Sequence, residues 1–338
     1  MGHVGEVKDL HIEACLRDDV EGRGRAQGNG FERHRLTAEM PDFDFAEIVT
    51  SAELFGRKLA LPLFISSLTG GGRSSGRINR NLAEAAQTLG IGMAVGSQRL
   101  MLEHPETAES YRVRRWAPDI LLFANLGLVH LNYGLTEEGC RRAVEEIRAD
   151  ALLLYLNPLH EVFQRSGSTN FRGLFHRLDG LCRSLACPVI VKEVGFGLSE
   201  ATLRRLASTG VAAVDVAGRG GTDWALVERA LGRGGSADLY AELGVPTADA
   251  LEAALRIFPA STPVLASGGI RTGVEIAKAL AMGAKLAGIG LPFLRWAHES
   301  AEKVVEEVKR LEEELRIAMW YAGAPNLTAL RGRIERRG

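Results

Sequence analysis

Several side chains that can do chemistry stand at the ends of short apolar segments of the sequence. Lys192 closes the segment Pro188–Val191, and Tyr155, His160 and Glu161 follow another such segment. A buried lysine can hold an anion, a tyrosine or histidine can transfer a proton, and a carboxylate can bind Mg²⁺ together with phosphate oxygens. On type and spacing alone, the lysine can equally reach solvent, and the histidine and glutamate can be plain loop residues. These four residues are therefore candidates for acid–base catalysis and metal binding that the fold would have to bring together.

Two glycine-rich segments late in the chain have the pattern of a phosphate site. The segment Ser267–Arg271 reads SGGIR and precedes a helical pattern, and Gly288–Gly290 follows the next apolar run. Glycines let backbone N–H groups approach a phosphate, and the N-terminus of a helix favours negative charge. Arg99, in the segment GSQR, offers a guanidinium fork, although a surface charge at a helix start has the same pattern. We expect a phosphate group near these glycines and Arg271.

The elements that would position these residues alternate along the chain. Helical stripes such as Ile78, Leu82, Ala85 and Leu89 separate short apolar runs without polar alternation, which are typical of strands buried on both faces. Eight such runs are present, at Leu61–Ser66, Ile91–Val95, Ile120–Ala124, Ala151–Leu156, Pro188–Lys192, Ala212–Val216, Pro263–Ser267 and Leu286–Gly290. Eight strands alternating with helices predict a (β/α)₈ TIM barrel, whose active site lies at the C-terminal strand ends. A doubly wound sheet is the alternative, but no GxGxxG follows the first strand.

Composition excludes several classes of protein and favours others. The chain has 338 residues with a net charge of −1, so it lacks the basic excess of a nucleic-acid-binding protein. No apolar run reaches the about 20 residues of a membrane span, the N-terminus lacks the pattern of a signal peptide, and no P-loop motif occurs. The four cysteines form no CxxC, which favours a reducing cytoplasm, and no HxH or HExxH spacing indicates zinc. Glycine, at 39 residues, is the only unusual count.

We expect a single domain over residues 1–338. Residues 1–60 are interpreted as an N-terminal arm that covers the substrate and begins with a short helix and a loop. Residues 61–322 are interpreted as the barrel and residues 323–338 as a tail. The widest interruption of the barrel pattern, Gly218–Gly244, is expected to be a loop.

Several motifs together resemble those of the type 2, FMN-dependent isopentenyl-diphosphate isomerases. The likeness runs from about Lys8 to Ala329. The motifs are Ser67–Gly71, Gly76–Ala86, Gly96–Arg99, Asn125–Gly127, Asn157–Leu159, Val191–Gly197, Asp215–Gly218, Gly220–Thr222 and Ala266–Ile270. The resemblance implies a redox-neutral interconversion of isopentenyl and dimethylallyl diphosphate with FMN, Mg²⁺, and NADPH to reduce the flavin. It also implies a homotetramer or homo-octamer.

The resemblance and the residues at the strand ends together predict roles for individual residues. Contacts to FMN are expected from Ser67, Leu68, Thr69, Ser97, Asn125, Lys192, Thr222, Gly268, Gly269, Arg271, Gly288 and Gly290. Contacts to the diphosphate substrate are expected from Lys8, His11, Arg99, Asn157, His160 and Arg219, and Mg²⁺ is expected on Glu161. His160, Tyr155 and Lys192 are the catalytic candidates. The Lys192 ammonium would stabilise the anionic edge of a reduced flavin.

The chain departs from the family pattern at five positions. Val7, Tyr155, His160, Arg219 and Asp223 stand where the family has arginine, histidine, glutamine, alanine and serine. Arg219 can supply the cation lost at position 7, and the imidazole of His160 can act as an acid where an amide cannot. Two alternatives therefore stay open beside the isomerase, namely an isomerase-like flavoenzyme with an altered substrate or chemistry and a catalytically silent flavin-binding subunit.

Two other FMN-barrel classes are disfavoured by residues that are absent from the sequence. A 2-hydroxy-acid oxidase needs a histidine near the late strands, and none lies between His176 and His298. An IMP dehydrogenase-like enzyme needs a cysteine after the sixth strand, and Arg219–Asp223 has none.

Overall fold

A computed structural model describes residues 5–21, 28–233, 235, 240 and 242–337 of the chain. Residues 22–27 of the expected N-terminal loop lie outside these ranges. Within the described residues, no helix combines the length and the apolar character needed to cross a membrane. The four cysteines are free thiols.

The chain begins with the arm. Helix α1 covers Glu6–Arg17, and three short strands follow, β1 at His34–Leu36, β2 at Ala52–Leu54 and β3 at Arg57–Leu59. Asp9 of α1 fixes the helix to the barrel because its carboxylate accepts hydrogen bonds from the backbone N–H groups of Arg73 and Ser74 at 2.9 and 3.1 Å. The expected N-terminal helix is therefore present and packs on the barrel.

Eight parallel strands close into a barrel in chain order, which confirms the predicted architecture. They are β4 at Leu63–Ile65, β5 at Gly92–Ala94, β6 at Leu122–Gly127, β7 at Ala151–Tyr155, β8 at Val189–Lys192, β9 at Ala213–Asp215, β10 at Val264–Ser267 and β11 at Ala287–Ile289. Each strand lies on one predicted apolar run. Most are shorter than the run, whereas β6 extends to Gly127 because Asn125 and Leu126 also pair with β7.

Helices surround the barrel in the order expected of this fold. They are α2 at Ser75–Leu89, α3 at Arg99–Glu103, α4 at Glu137–Ile147, α5 at Pro158–Phe163, α6 at Leu174–Ser184, α7 at Glu200–Leu206, α8 at Trp224–Ala230, α9 at Thr247–Ile257, α10 at Gly273–Met282, α11 at Leu291–Glu299 and α12 at Ala301–Tyr321. Helix α2 ends where Gly90 takes a left-handed conformation with φ of 61°, and the Thr136 side chain caps α4 by accepting from the N–H of Gly139.

Helix α8 corrects the prediction that Gly218–Gly244 is a loop. Asp223 starts this helix, since its carboxylate accepts from the backbone N–H groups of Ala225 and Leu226 at 2.8 and 3.4 Å. An N-cap aspartate satisfies donors that have no partner inside the helix. Asp223, which stands where the family has serine, therefore caps this helix, a role that serine can also fill.

The barrel interior is apolar at its N-terminal end. Phe64 and Phe123 meet edge to face with ring centroids 5.9 Å apart. The antiparallel β2–β3 hairpin covers this end, because Leu54 and Leu59 pack into the same buried cluster. The N-terminal end of the interior is thus a packed core.

The chain leaves the barrel through a short helix, α13 at Leu327–Leu330, and a strand, β12 at Ile334–Arg336. Strand β12 pairs antiparallel with β1 of the arm, with His34 opposite Arg336 and Leu36 opposite Ile334. The arm and the tail, which lie at opposite ends of the sequence, are thus joined in one small sheet.

Candidate active site

A cavity of about 530 Å³ opens at the C-terminal ends of the strands. Its volume suits a ligand of cofactor size. All the predicted site residues except Arg219 line it. The predicted convergence at one end of the barrel is therefore observed, with residues of α1 forming another part of the wall.

The alternation of side chains along each strand explains why polar groups meet there. Phe123, Leu153 and Ile190 point into the barrel core, and two residues further on Asn125, Tyr155 and Lys192 line the cavity. A strand returns to the same face every second residue, so each polar side chain lies one layer above an apolar one. The cavity is thus the upper continuation of the barrel core.

Unpartnered polar atoms concentrate in this cavity. In the described part of the chain, seven buried side-chain nitrogen or oxygen atoms lack a hydrogen-bond partner, and five of them belong to residues that line it. These five are Ser66 Oγ, Ser67 Oγ, Asn125 Oδ1, His130 Nδ1 and Asn157 Oδ1. Buried polar groups are almost always hydrogen-bonded in native proteins. Their number here indicates a polar ligand, and an FMN ring with its ribityl hydroxyls suits such donors and acceptors.

Lys192 is the cation on the barrel side of the cavity. It is 6% exposed, and its ammonium donates a hydrogen bond to the Glu193 carbonyl. Burial lowers the pKa of Lys192, although Asp215 and Glu193 act in the opposite direction. A cation held in a buried place gains free energy from an anionic ligand. The predicted location of Lys192 at the barrel mouth is confirmed.

The two predicted glycine segments lie side by side at the rim. Gly268 and Gly269 have φ of 105° and 73°, and a Cβ on them would come within 2.1 Å of the Gly218 carbonyl oxygen and 2.4 Å of the Gly220 oxygen, respectively. Only glycine fits this close approach of two backbones. Gly290 precedes helix α11, so N–H groups of a helix start face the same region.

Arg271 lines the cavity, but its guanidinium is engaged elsewhere. It pairs with Glu21 of the arm and donates to the carbonyl of Ile270 at 2.7 Å. The structure therefore shows Arg271 as a link between arm and barrel, and its predicted contact with FMN stays a prediction.

Two cations converge at the arm side of the cavity. Burial and the nearby Arg99 lower the pKa of Lys8, whereas Glu161 raises it. Arg99 donates to Glu103 at 2.7 Å and contacts Nε2 of His130 at 3.0 Å. Burial, with a further contribution from Arg99, lowers the pKa of His130 to about 4, which keeps this ring neutral near pH 7. Lys8 and Arg99 repel each other, so an anionic ligand that contacts both would be stabilised here.

Glu161 is 4% exposed and faces this group of cations. Its Oε1 accepts from Asn157 Nδ2 at 2.8 Å and its Oε2 from the N–H of Ser168 at 2.5 Å. A carboxylate offers about four acceptor positions, so a metal ion can still be bound. The residue fits the predicted single-carboxylate Mg²⁺ site.

His160 and Tyr155 occupy different walls of the cavity. Tyr155 donates to Ser97 Oγ at 3.2 Å, and burial raises the pKa of its hydroxyl to about 12, so it is a neutral donor. Nε2 of His160 lies 3.1 Å from Oε1 of Glu228, and its ring stacks at a tilt on Trp224 with centroids 4.8 Å apart. The imidazole is therefore oriented on both sides.

Sequence reasoning missed Glu228 and His130. Glu228 is fully buried and bonds both His160 and His11, the latter at 2.9 Å from Nε2. Burial opposes the effect, but these hydrogen bonds hold the pKa of Glu228 well below its ordinary range. Glu228 follows Trp224 by one helical turn, so it shares the cavity-facing side of α8, and this spacing is the signal that was available.

His11, His160 and Glu228 form a cluster of possible metal ligands that the histidine spacing does not indicate. Their ligand atoms all lie within 4.8 Å of one another, although no HxH or HExxH pattern connects them. The contacts join residues 217 and 68 positions apart in sequence. Local spacing cannot reveal a cluster assembled from three separate elements.

Arg219 is the predicted substrate residue that the structure does not bring into the cavity. It is half-buried, and its backbone bridges to Pro246 and accepts a hydrogen bond from Thr247. The cation lost at position 7 is therefore not replaced by Arg219 in this arrangement. Lys8 and Arg99 are the cations on that side of the cavity.

Comparison with known proteins places this geometry in a family. The model of the FMN-dependent dehydrogenase family matches residues 158–336. An isopentenyl-diphosphate delta-isomerase of Xanthobacter autotrophicus is 48% identical over 333 residues, covering 97% of this chain and 96% of the relative. Isomerases of the same name from a Nostoc species and from Deinococcus radiodurans are 43% and 44% identical and cover 96% and 95% of this chain and 94% and 95% of the relatives.

Solved structures confirm the fold. A mandelate oxidase superimposes with a TM-score of 0.68 at 20% identity, covering 97% of this chain and 95% of that chain. An active chimera of (S)-mandelate dehydrogenase gives 0.70 at 18% identity, with coverage of 98% and 99%. The chain belongs to the isopentenyl-diphosphate delta-isomerases, flavoproteins built on the barrel of the FMN-dependent dehydrogenases.

Proposed function

We propose that this chain interconverts isopentenyl and dimethylallyl diphosphate in the cavity at the C-terminal strand ends. The observation that carries the proposal is the composition of one continuous cavity. Its barrel side has unpartnered hydroxyl and amide atoms beside Lys192, and its arm side has the cations Lys8 and Arg99. The first set suits a flavin, and the second suits a diphosphate.

The residues act by binding, orienting and proton control. Lys8, Arg99 and Asn157 would hold the diphosphate, and Glu161 would hold Mg²⁺, which neutralises phosphate charge. When bound in its reduced form, FMN supplies a group that exchanges protons with the alkene. Lys192 holds the anionic edge of the flavin, and His160, oriented by Glu228, lies where it can hold or deliver a proton.

The proposal also includes the reductant of the flavin, the cellular compartment and the oligomeric state. NADPH reduces the flavin, and the reaction itself consumes no electrons because one proton is added and another removed. The free thiols, including buried Cys15 and Cys140, agree with a reducing cytoplasm. Assembly into a homotetramer or homo-octamer would cover exposed helix faces.

An anaerobic assay tests the proposal. The purified FMN-loaded protein is incubated with NADPH, Mg²⁺ and isopentenyl diphosphate, and dimethylallyl diphosphate is measured. Formation of this product supports the isomerase. No product, with FMN bound and reducible, would refute it and favour the isomerase-like flavoenzyme of altered substrate or chemistry.

If no product forms, a double variant tests whether the departures at Tyr155 and His160 are the cause. Tyr155→His combined with His160→Gln restores the family's residues at both positions and should recover activity if those residues are responsible. If the unaltered protein and the double variant both bind FMN and both lack activity, the flavin-binding subunit is favoured.

A further inference from the structure

His11 and His160 line the cavity, and Glu228 lies buried beside them; the proposed reaction uses His160 and Glu228 only for proton transfer. His11 comes from helix α1, His160 from α5 and Glu228 from α8. Their side chains are 14%, 10% and 0% exposed. Two imidazoles and one carboxylate are a ligand set found in zinc and non-haem iron sites that keep an open position.

The distances suit a single ion. Oε1 of Glu228 lies 2.9 Å from Nε2 of His11 and 3.1 Å from Nε2 of His160. In a tetrahedral site, metal–ligand bonds of about 2.0–2.2 Å imply ligand atoms about 3.3–3.6 Å apart. Both oxygen–nitrogen distances are shorter than this spacing, and all three ligand atoms lie within 4.8 Å of one another, so an ion would enter with a slight separation of the side chains.

Neighbouring side chains already support such a site. Nη1 of Arg233 donates to Oε2 of Glu228 at 3.0 Å, which leaves Oε1 for the ion. The amide nitrogen of Gln164 lies 3.2 Å from Nδ1 and 3.0 Å from Nε2 of His160, and a half-turn of this amide would present its oxygen to the Nδ1 proton once Nε2 binds an ion. Metal-bound histidines usually donate their second ring N–H to such an acceptor.

The chemistry differs from that of the Glu161 site. Mg²⁺ prefers oxygen ligands, whereas imidazole nitrogen suits zinc, iron and related ions. We propose that His11, His160 and Glu228 bind one Zn²⁺-class divalent cation, with an open position facing the cavity. Arg233 and the nearby Lys8 leave the loaded site positive, so a diphosphate oxygen or a hydroxide suits the open position.

This inference goes beyond the proposed function, because it requires no substrate and no turnover; the ion and the proton are alternative occupants of Nε2 of His160. Chelator-treated, FMN-loaded protein is titrated with Zn²⁺ by calorimetry in the presence of excess Mg²⁺. We expect one Zn²⁺ per chain, not displaced by Mg²⁺. His160→Gln should weaken this binding by about 100-fold or more, because loss of a direct ligand costs at least as much as loss of a supporting residue.

Two control variants separate a specific site from general metal binding. Glu161→Gln removes the predicted Mg²⁺ ligand, and His176→Gln removes an exposed histidine of helix α6, so both should keep the Zn²⁺ affinity. The flavin absorbance of each variant shows that it is folded and loaded. No binding by the unaltered protein, or equal binding by His160→Gln, would overturn the proposal and leave a hydrogen-bond network only.

Discussion

Replacing Lys192 by methionine separates a cofactor-binding lysine from a structural one. Methionine keeps most of the length and the apolar stem of the side chain but removes the ammonium. Lys192 closes β8, is 6% exposed and lines the cavity. Its two acidic neighbours keep other partners, since Asp215 accepts from Ser267 Oγ at 2.9 Å and Glu193 accepts from four backbone N–H groups. The substitution therefore leaves no carboxylate without a donor.

The expected loss follows from the strength of one charge-assisted hydrogen bond. Such a bond is worth about 1.5–3 kcal/mol, so the dissociation constant of FMN should rise by about 10- to 150-fold. In the protein without flavin, burial lowers the pKa of Lys192, which means that its charged form costs free energy there. Methionine removes this cost, so the melting temperature of the flavin-free protein should not fall.

Flavin fluorescence titrations at several pH values measure the effect. Binding that needs the ammonium weakens as pH rises above the lowered pKa of Lys192, since the proton must then be taken up with the flavin. The affinity of the unaltered protein should therefore fall at alkaline pH earlier than an ordinary lysine would allow, and that of Lys192→Met should stay flat. Lys285→Met, which removes a lysine at the opposite end of the barrel before β11, is the matched control. Unchanged FMN affinity in Lys192→Met, or a melting temperature of the flavin-free variant that falls with it, would refute the reasoning.

Three further predictions concern single residues. As the pH falls from 6.5 to 4, the unfolded chain binds a proton at His130 before the folded protein does, because the folded pKa is about 4, so the folded protein loses about 3 kcal/mol of stability. His130→Gln should remove this part of the pH dependence. Equal urea-unfolding profiles of both proteins across this range would contradict the prediction. Gly269→Ala should reduce FMN retention on desalting, because its Cβ would clash with the Gly220 backbone. Gly173→Ala is the control: its φ of 72° imposes nearly the same backbone strain, but the space around its Cβ is open, so this variant should retain FMN. Asp223→Ala should lower the free energy of unfolding by about 1 kcal/mol and Asp223→Ser should largely restore it, as serine also caps a helix; an equal melting temperature for alanine and serine would count against the cap.

The sequence pattern predicted the barrel because parallel strands buried on both faces leave a clear signal. Runs such as Ala151–Leu156 and Pro188–Lys192 contain few polar residues, and both became strands. The strand ends then placed Asn125, Tyr155 and Lys192 in one cavity, as a two-residue alternation requires. The order of the apolar runs and the residues at their ends were therefore sufficient to predict the fold and most of the residues that line the cavity.

What the sequence could not predict depends on contacts between distant residues. The bond of His11 to Glu228 spans 217 positions, and no local pattern marks it. Arg219 is a predicted substrate residue because it replaces alanine beside a glycine motif, but it is not among the residues that line the cavity, and its backbone pairs with Pro246. The pairing of β1 with β12 likewise joins two short segments without strong apolar character.

Helix α1 supplies part of the cavity wall, and the barrel supplies the rest. A ligand that contacts Lys8 or His11 together with Lys192 or Asn157 binds only when this helix is docked. Ligand binding and helix docking are thus thermodynamically linked, and a ligand at 100 times its dissociation constant adds about 2.7 kcal/mol to the free energy of undocking. The amide protons of Glu6–Arg17 accordingly become a reporter of occupancy, since their exchange with solvent deuterium slows as the cavity fills.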